Sequence, residues 1–303
     1  MTSDSLRPSP LGDTAAMADQ PTRRTARELG PNDLVWDHFS RPHTDRVVDR
    51  VHAAARAGYD AVGVYLGAWA TLKEDQAALD EVDEALEATG LVVANIETLR
   101  GWTGPVAGEA LAAQEALAYE MAAHWGCRYV QVIGNAPGEP LDAAAAGFAA
   151  LCDRAADHGL LVGLEWVPSM TNVGDAPTAL RIVTEADRDN GGFCVDSWHF
   201  TRSTNQLDDL RRLPGERVFA TQWNDGTVAP QHPDYLQDCL TNRVPPGDGE
   251  FALVEIARVL DSIGSTAPIG VEVCSAELWA APVDHAARVS ADGMRRVLAA
   301  ARA

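Results

Sequence analysis

Carboxylate and amide side chains recur at the ends of apolar segments in the second half of the chain. They belong to the strings GLEWVP (163–168), CVDSWH (194–199), TQWND (221–225) and GVEVCS (270–275). The oxygen donors in them are Glu165, Asp196, Gln222 and Glu272, which lie 31, 26 and 50 residues apart. An acidic group on an apolar strand is costly unless it is paired or bound to a metal. The pattern predicts one shared cation site, and the alternative is a carboxylate network tied to arginine and backbone amides.

All of the predicted ligand atoms are oxygens, which come from three carboxylates and one amide carbonyl. Hard oxygen donors in a site open to water suit Mg²⁺ or Mn²⁺ better than Zn²⁺, and Co²⁺ could substitute for them. The sequence therefore predicts a divalent-metal site that holds Mn²⁺ or Mg²⁺.

The elements that would position these residues alternate along the chain from about residue 30. Near-continuous Val, Ile and Leu runs, typical of strands buried in a parallel sheet, predict strands at 34–39, 61–67, 91–99, 129–134, 161–168, 193–199, 218–225 and 268–275. Helices are predicted at 44–57, 72–88, 109–125, 142–158, 175–187, 205–212, 251–263 and 282–302. The expected helix caps are Thr44 and Asp142 at N-termini, and Gly58, Gly90, Gly126, Gly159 and Gly264 at C-termini.

Eight strand–helix units predict an α/β fold, a single-domain (β/α)8 TIM barrel over residues 30–303. A doubly wound open sheet is the alternative, but no glycine-rich phosphate turn follows the first predicted strand. Residues 1–29, rich in Ser, Pro, Thr, Asp and Arg, predict a disordered N-terminal extension, or an arm that lies on a partner subunit. The carboxyl ends of barrel strands form the catalytic face, and the long loop at 226–250 follows the seventh strand there.

Charge and composition narrow the class of partner. The net charge of −20, from 24 Lys and Arg against 44 Asp and Glu, disfavours a nucleic-acid partner, since phosphates need a basic face. The sequence contains no run of about 18 or more apolar residues, so no membrane span is expected. The five cysteines form no CxxC pair, as expected of free thiols in the reducing cytoplasm. We therefore expect a cytoplasmic protein with a small-molecule substrate, and the sequence leaves a homo-oligomer open.

At this level the chain resembles the sugar phosphate isomerase/epimerase superfamily, the xylose-isomerase-like barrels. The resemblance rests on LEWVP, VDSWHF, TQWND, VEVCS and the loop RVPPGDGEF (243–251), within a layout covering about 30–303. In ketose epimerases and inosose dehydratases of this superfamily the third ligand is usually His, whereas Gln222 matches the hydroxypyruvate isomerase branch. The resemblance implies that His199 binds a substrate oxygen and that Arg243 fixes a substrate hydroxyl, carboxylate or phosphate. The alternatives are a hydrogen-bonded core histidine and a loop ion pair.

Further candidates for substrate contact lie at the predicted strand ends. His38 and Glu97 are the polar ones, and a salt bridge to a neighbouring loop is the alternative for Glu97. The same ends carry Trp36, Tyr65, Trp102, Trp166, Trp198 and Trp223. Of these, Trp102, Trp166 and Trp223 are predicted to form an apolar wall around a cyclic or aromatic substrate. Packing within the barrel is the alternative.

A divalent ion that binds a substrate carbonyl and its neighbouring hydroxyl would stabilise the enediolate formed when the α-proton leaves. Glu165 and Glu272, which bracket the ligand set, are the predicted base and acid, with His199 as a further catalytic residue. The sequence thus predicts a metal-dependent isomerase or epimerase of a keto-sugar or keto-polyol. The alternative is a lyase, a dehydratase of a cyclic keto-polyol of the inosose or 3-dehydroshikimate type. An apurinic-site endonuclease is disfavoured by the negative charge, and a non-enzymatic binding barrel is the remaining reading.

Overall fold

Eight parallel strands close into a barrel in chain order, which confirms the predicted TIM barrel. The computed structural model describes residues 28–37, 46–104 and 108–303. The strands are β1 (Leu34–Trp36), β2 (Ala61–Tyr65), β3 (Val92–Leu99), β4 (Tyr129–Ile133), β5 (Leu161–Glu165), β6 (Gly191–Asp196), β7 (Val218–Trp223) and β8 (Ile269–Val271). The predicted N-cap Thr44 and nearly all of the predicted extension at 1–29 lie outside the described residues.

Helices follow the strands and cover the outside of the barrel. They are α1 (Val47–Ala57), α2 (Leu66–Leu72), α3 (Gln76–Thr89), α4 (Glu109–Trp125), α5 (Ala144–Ala156), α6 (Ala176–Ala186), α7 (Ser197–Thr201), α8 (Leu207–Arg211), α9 (Tyr235–Thr241), α10 (Leu253–Ser262), α11 (Ala276–Ala280) and α12 (Val283–Ala301). A short 3₁₀ helix, Gly215–Arg217, precedes β7. The sequence did not predict α2, α7, α9 or α11, which follow β2, β6, β7 and β8 on the carboxyl-end side of the barrel, and the last two residues of the predicted strand at 61–67 begin α2.

Strand register brings the predicted ligands to one end of the barrel. Ile133 pairs with Glu165 between β4 and β5, and Asp196 pairs with Gln222 between β6 and β7. Glu272 directly follows β8. Neighbouring strands lie about 4.8 Å apart, so groups at successive carboxyl ends share one mouth.

Several helix ends differ from their predictions. Left-handed glycines end α1, α3 and α4 as predicted, with φ of 74°, 74° and 72° at Gly58, Gly90 and Gly126. The predicted N-cap Asp142 is wrong, because α5 begins after Ala143 and has no side-chain cap. The predicted helix at 72–88 is interrupted, since α2 ends at Leu72 and Asp75 caps a new helix by accepting from the Ala78 N–H. Local hydrogen bonding therefore decides where these helices begin and end.

The predicted strand at 193–199 is wrong in its last three residues, which begin α7. Asp196 causes the change, because its carboxylate accepts hydrogen bonds from the backbone N–H groups of Trp198 and His199. His199 therefore lies on the first turn of a helix rather than on a strand, one turn from the carboxylate that caps it.

The apolar core lies between the barrel and its helices, and its largest fully buried side chains include Trp69, Trp102, Trp166, Trp198, Phe148 and Phe193. Close packing is marked at Gly147 of α5, where a Cβ would lie 2.1 Å from the Trp102 carbonyl oxygen. In the described part of the chain, no helix has both the length and the apolar character to cross a membrane.

Candidate active site

A cavity of about 510 Å³, counting the space that opens to solvent, lies at the carboxyl ends of the strands. Its polar and charged lining comprises Glu97, Thr98, Arg100, Gln131, Glu165, His199, Arg243 and Glu272. The rest of its lining comprises Ile133, Val167, Met170, Leu236, Cys239 and Leu240. The mixture of apolar walls with a few convergent polar groups is typical of a small-molecule site.

Arg243 joins two of the predicted metal ligands. Its Nη1 lies 2.9 Å from Asp196 Oδ2 and 2.6 Å from Glu272 Oε2. Its Nε donates to the backbone oxygen of Cys239 at 3.0 Å, and its side chain is 2% exposed. Burying a guanidinium is tolerated when carboxylates and hydrogen bonds compensate its lost hydration. The ion pair that the sequence left as the alternative for Arg243 is therefore formed, and Arg243 also lines the cavity.

The two carboxylates that share Arg243 differ in their proton affinity. Burial alone would raise the pKa of Asp196, but Arg243, His199 and the amide donor of Asn224 together lower it. Burial raises the pKa of Glu272 to about 7, against the opposing charge of Arg243. Asp196 is thus a stable anion, whereas Glu272 exchanges its proton near neutral pH.

Glu165, at the end of β5, is held from two sides. Gln131 Nε2 donates to Glu165 Oε2 at 2.8 Å, and His199 Nε2 lies 3.4 Å from Glu165 Oε1. Burial raises the pKa of this carboxyl, and the charges of Asp196 and Glu272 raise it further. Glu165 therefore holds a proton more tightly than an exposed glutamate does, the direction in which a general base is tuned.

His199, on the first turn of α7, contacts the first residue of α9. Its Nδ1 lies 2.6 Å from the Tyr235 hydroxyl of α9. Burial lowers the pKa of His199 to about 4, so the imidazole is neutral at pH 7. A neutral imidazole has one N–H and one bare nitrogen, so one contact takes a hydrogen bond from the ring and the other gives one to it.

An amide bridge links Glu165 to a deeper carboxylate. Gln131 Nε2 also lies 3.3 Å from Gln222 Oε1, and Gln222 Nε2 donates to Glu97 Oε1 at 3.4 Å. Burial raises the pKa of Glu97, and the charge of Asp37 adds to the increase. The predicted ligand Gln222 thus lies inside the same hydrogen-bonded cluster as the three predicted carboxylate ligands.

The cluster suits a divalent cation. Glu165, Asp196 and His199 each offer one ligand atom, and these atoms lie within 4.8 Å of one another. Glu272 joins them through Arg243, which is the cation that pairs with this group among the described residues. So much buried negative charge is unfavourable unless protons or a cation neutralise it. The donor chemistry fits a metal, and the identity of the ligands stays a prediction.

The loop that carries Arg243 is fixed to the end of β7 by Asp225. The two segments form a backbone bridge between Asp225 and Val244. The Asp225 carboxylate accepts from the backbone N–H groups of Gly226, Gly247 and Phe251. This buried carboxylate therefore holds the predicted Pro-Gly loop over the barrel mouth.

The segment 226–250, predicted as a loop, contains α9, which forms a roof over the cavity. Leu236 and Leu240 give it an apolar underside. Asp238 is buried, accepts hydrogen bonds from the Gln231 and His232 N–H groups, and pairs with Arg202 at 3.2 Å. One ordered helix thus supplies both Tyr235 and the apolar side of the cavity.

Comparison with known proteins assigns the chain to a family. The family model for the xylose isomerase-like TIM barrel matches residues 51–297. The chain belongs to that family. The resemblance drawn from the sequence motifs is confirmed.

The curated relatives of the chain include a dehydratase and isomerases. A 3-dehydroshikimate dehydratase of Pseudomonas aeruginosa is 31% identical over 149 residues, which is 49% of this chain and 23% of that protein. An inosose isomerase of Bacillus licheniformis is 30% identical over 142 residues, 46% of this chain and 49% of that protein. The chain spans about half or less of the length of the curated relatives it matches.

Solved structures agree on the architecture. The crystal structure of the IOLI protein with a bound zinc atom has a TM-score of 0.76 and 18% identity, and covers 88% of this chain and 98% of that one. At this identity the likeness shows the fold. The zinc belongs to that protein.

The tryptophans predicted to line the substrate pocket of this family member are buried outside the described cavity lining. Trp102 donates its Nε1–H to the Ile133 carbonyl at 2.6 Å, and its ring packs on Phe148. Trp223 donates to Thr221 Oγ1, and Trp166 is fully buried. In the structure these three tryptophans pack within the barrel, which was the alternative interpretation. Their contact with substrate stays a prediction. His38 lies outside the described residues.

Sequence reasoning missed Gln131 and Tyr235. Gln131 interrupts the apolar strand YVQVI, the same signal that identified Gln222 in TQWND, and could have been found in that way. Tyr235 follows a Pro-rich stretch, and no local pattern indicates that it would meet His199.

Proposed function

We propose that the protein is a divalent-metal-dependent isomerase or epimerase of a hydroxy-carbonyl compound, most suitably a cyclic keto-polyol. The observation that carries this proposal is the presence of Glu165 and Glu272 in one cavity, both with a raised pKa. Proton transfer at the carbon next to a carbonyl needs two such groups, one to remove the proton and one to return it.

In the proposed reaction Glu165 takes the α-proton, with its carboxylate oriented by Gln131. Glu272 delivers a proton to the other face or to the neighbouring carbon, which gives epimerisation or isomerisation. His199 donates or accepts a hydrogen bond at a substrate oxygen from its place beside Glu165. The divalent cation, when bound by Glu165, Asp196, Gln222 and Glu272, would supply a positive charge that stabilises the enediolate.

The apolar roof supports a cyclic substrate. Met170, Leu236 and Leu240 offer a face for ring carbons, while the opposite wall offers polar groups for hydroxyls. The names of two relatives, inosose isomerase and 3-dehydroshikimate dehydratase, also refer to cyclic hydroxy-ketones.

A dehydratase of a cyclic keto-polyol is the second candidate. It shares the first step, and then loses a β-hydroxyl as water instead of regaining a proton. The 31% identity over 149 residues to a 3-dehydroshikimate dehydratase supports it.

Nuclear magnetic resonance in deuterated water tests the proposal. The enzyme with Mn²⁺ is incubated with an inosose and, separately, with 3-dehydroshikimate. An isomerase or epimerase incorporates deuterium at carbon without loss of water, whereas a dehydratase forms a conjugated product that absorbs ultraviolet light. Deuterium incorporation into neither compound, with no ultraviolet product, would contradict both candidates.

Glu165→Gln and Glu272→Gln are the decisive variants. Each is expected to lower the exchange rate about 10²-fold or more, because general acid–base catalysis contributes that much. Circular dichroism should show an unchanged fold, since the amide keeps the shape of the side chain. Full activity in both variants would exclude this mechanism.

A further inference from the structure

Arg100 is a cation at the cavity that the proposed chemistry does not use. It follows β3 directly, is exposed, and lines the cavity together with Glu97 and Thr98. Its guanidinium makes no hydrogen bond or ion pair with any residue in the described ranges, so its five N–H donors are available to a ligand.

The backbone at Arg100 is nevertheless fixed. Gln114 of α4 accepts from the Arg100 N–H at 3.1 Å and donates to the Arg100 carbonyl at 3.4 Å. The next N–H, of Gly101, donates to Asn135 Oδ1 at 3.0 Å. The main chain is thus anchored on both sides, which fixes the point from which the Arg100 side chain reaches into the cavity.

The two arginines of the cavity differ in what they can bind. Arg243 is buried, and its Nη1 is taken by Asp196 and Glu272. A negatively charged substrate group would meet carboxylates at that end of the cavity. Arg100 is therefore the cation, among the described lining residues, that remains available to an anion.

We propose that the substrate is a cyclic hydroxy-ketone that carries a carboxylate, and that Arg100 binds this carboxylate. This inference rests on the proposed function and specifies its substrate class. The planar guanidinium matches a carboxylate with two parallel hydrogen bonds. A phosphate is matched less well, because phosphate sites usually add backbone N–H groups at a helix N-terminus.

The position of Arg100 opposite the charged cluster sets the orientation of the ring. The carboxylate points toward the rim at the end of β3, and the reacting carbonyl and hydroxyl point toward Glu165 and Glu272. The apolar residues of the roof then cover the ring between the two ends. A neutral cyclic polyol lacks the group that Arg100 would hold.

Binding of shikimate and its methyl ester to the full-length protein with Mn²⁺, measured by calorimetry, tests the proposal. Shikimate has a carboxylate on a hydroxylated ring but no ketone, so it binds without reacting. The ester has the same ring and hydroxyls without the charge. We expect shikimate to bind at least about tenfold more tightly than the ester, because a hydrogen bond to a charged group contributes enough binding free energy for a tenfold change in affinity.

Arg100→Gln should remove this preference and leave the affinity for the ester unchanged, which shows that the cavity is intact. Arg181→Gln on the surface of α6 is the matched control and should keep the preference. Equal binding of the two probes by the unaltered protein, no binding of shikimate, or a preference that survives Arg100→Gln would each overturn the proposal. Displacement of shikimate by an equal concentration of inorganic phosphate would assign the site to phosphate instead. Because the probes do not react, this outcome is independent of the exchange experiment on Glu165 and Glu272.

Discussion

The two halves of the barrel contribute different chemistry to the same cavity. Strands β5 to β8 end at or next to Glu165, Asp196, Gln222 and Glu272, and β6 continues into the helix that carries His199. Strands β3 and β4 contribute an amide, Gln131, a deep carboxylate, Glu97, and a cation, Arg100, whose guanidinium has no partner within residues 28–37, 46–104 and 108–303. The second half therefore concentrates negative charge and, in the proposed mechanism, the proton transfer, while the first half orients these groups and would face the substrate.

This division separates reactivity from recognition. The second half depends on ion pairs buried from water, which are sensitive to loss of one partner. The first half depends on single hydrogen bonds and on an exposed cation, each of which contributes less free energy. Substitutions in the two halves should therefore differ in the size and kind of their effects.

The largest effect is expected for Asp196→Ala in the second half. This change leaves Arg243 with one carboxylate partner and removes the cap of α7. Removing one partner of a buried ion pair costs about 3–5 kcal/mol. The melting temperature, followed by circular dichroism without added metal, should fall by about 10 °C.

Asp196→Asn is the control for this prediction. The amide oxygen can still accept from the Trp198 and His199 N–H groups, so α7 keeps its cap. We expect a loss of stability smaller than that of the alanine variant. Equal melting temperatures for the two variants would show that the charge of Asp196, rather than its place at the helix terminus, accounts for the whole effect.

Gln131→Met in the first half should give an intermediate effect, on activity more than on stability. Methionine has a similar length but no N–H to orient Glu165. A hydrogen bond to a charged group contributes about 1.5–3 kcal/mol, so the rate of deuterium exchange should fall about 10- to 100-fold.

The matched substitution is Gln237→Met on the exposed face of α9. It changes the same residue type outside the cavity and should leave the exchange rate unaltered. A Gln131→Met enzyme that retains at least half of the normal rate would remove the orienting role assigned to the first half.

The smallest effect is expected outside both halves, on the helical layer. His124 of α4 lies 2.9 Å from Asp83 of α3, and this hydrogen bond raises the pKa of His124 above 6.5. The contribution to stability is present below that pH and is lost as pH rises through the raised pKa. Both side chains are about one-third exposed, so solvent limits the pair to less than about 1 kcal/mol.

Thermal melts between about pH 5.5 and 8 should show this difference. Asp83→Asn should lower the melting temperature by less than about 3 °C at the acid end, and should leave it unchanged at the basic end. A loss of equal size at both ends would mean that the contribution of Asp83 comes from its hydrogen bond with Trp125 rather than from the charge of His124.

The division between the halves also explains what could be predicted from the sequence. Carboxylates on apolar strands are rare enough to be conspicuous, so Glu165, Asp196 and Glu272 were found from their spacing alone. The strand–helix alternation was equally clear, because parallel strands covered by helices are apolar throughout. The barrel and the acidic cluster follow from local patterns of residue type.

Recognition residues carry no such pattern. Arg100 is an ordinary charged residue after a strand, and its significance depends on its having no side-chain partner among the residues that the structure describes. The tryptophans pack away from the described cavity lining, although their sequence positions place them at strand ends. Which side of a strand end faces the cavity is decided by local turns, such as the cap that Asp196 gives to α7.

The shared position of Asp196 has a consequence for enzyme engineering. One of its carboxylate oxygens caps the helix that carries His199, and the other pairs with Arg243. The relative placement of the histidine and the arginine is thus set by one side chain. Libraries intended to change substrate preference should keep Asp196 and vary Arg100, Met170 and Leu236, because those positions can diversify without loosening the groups proposed to transfer protons.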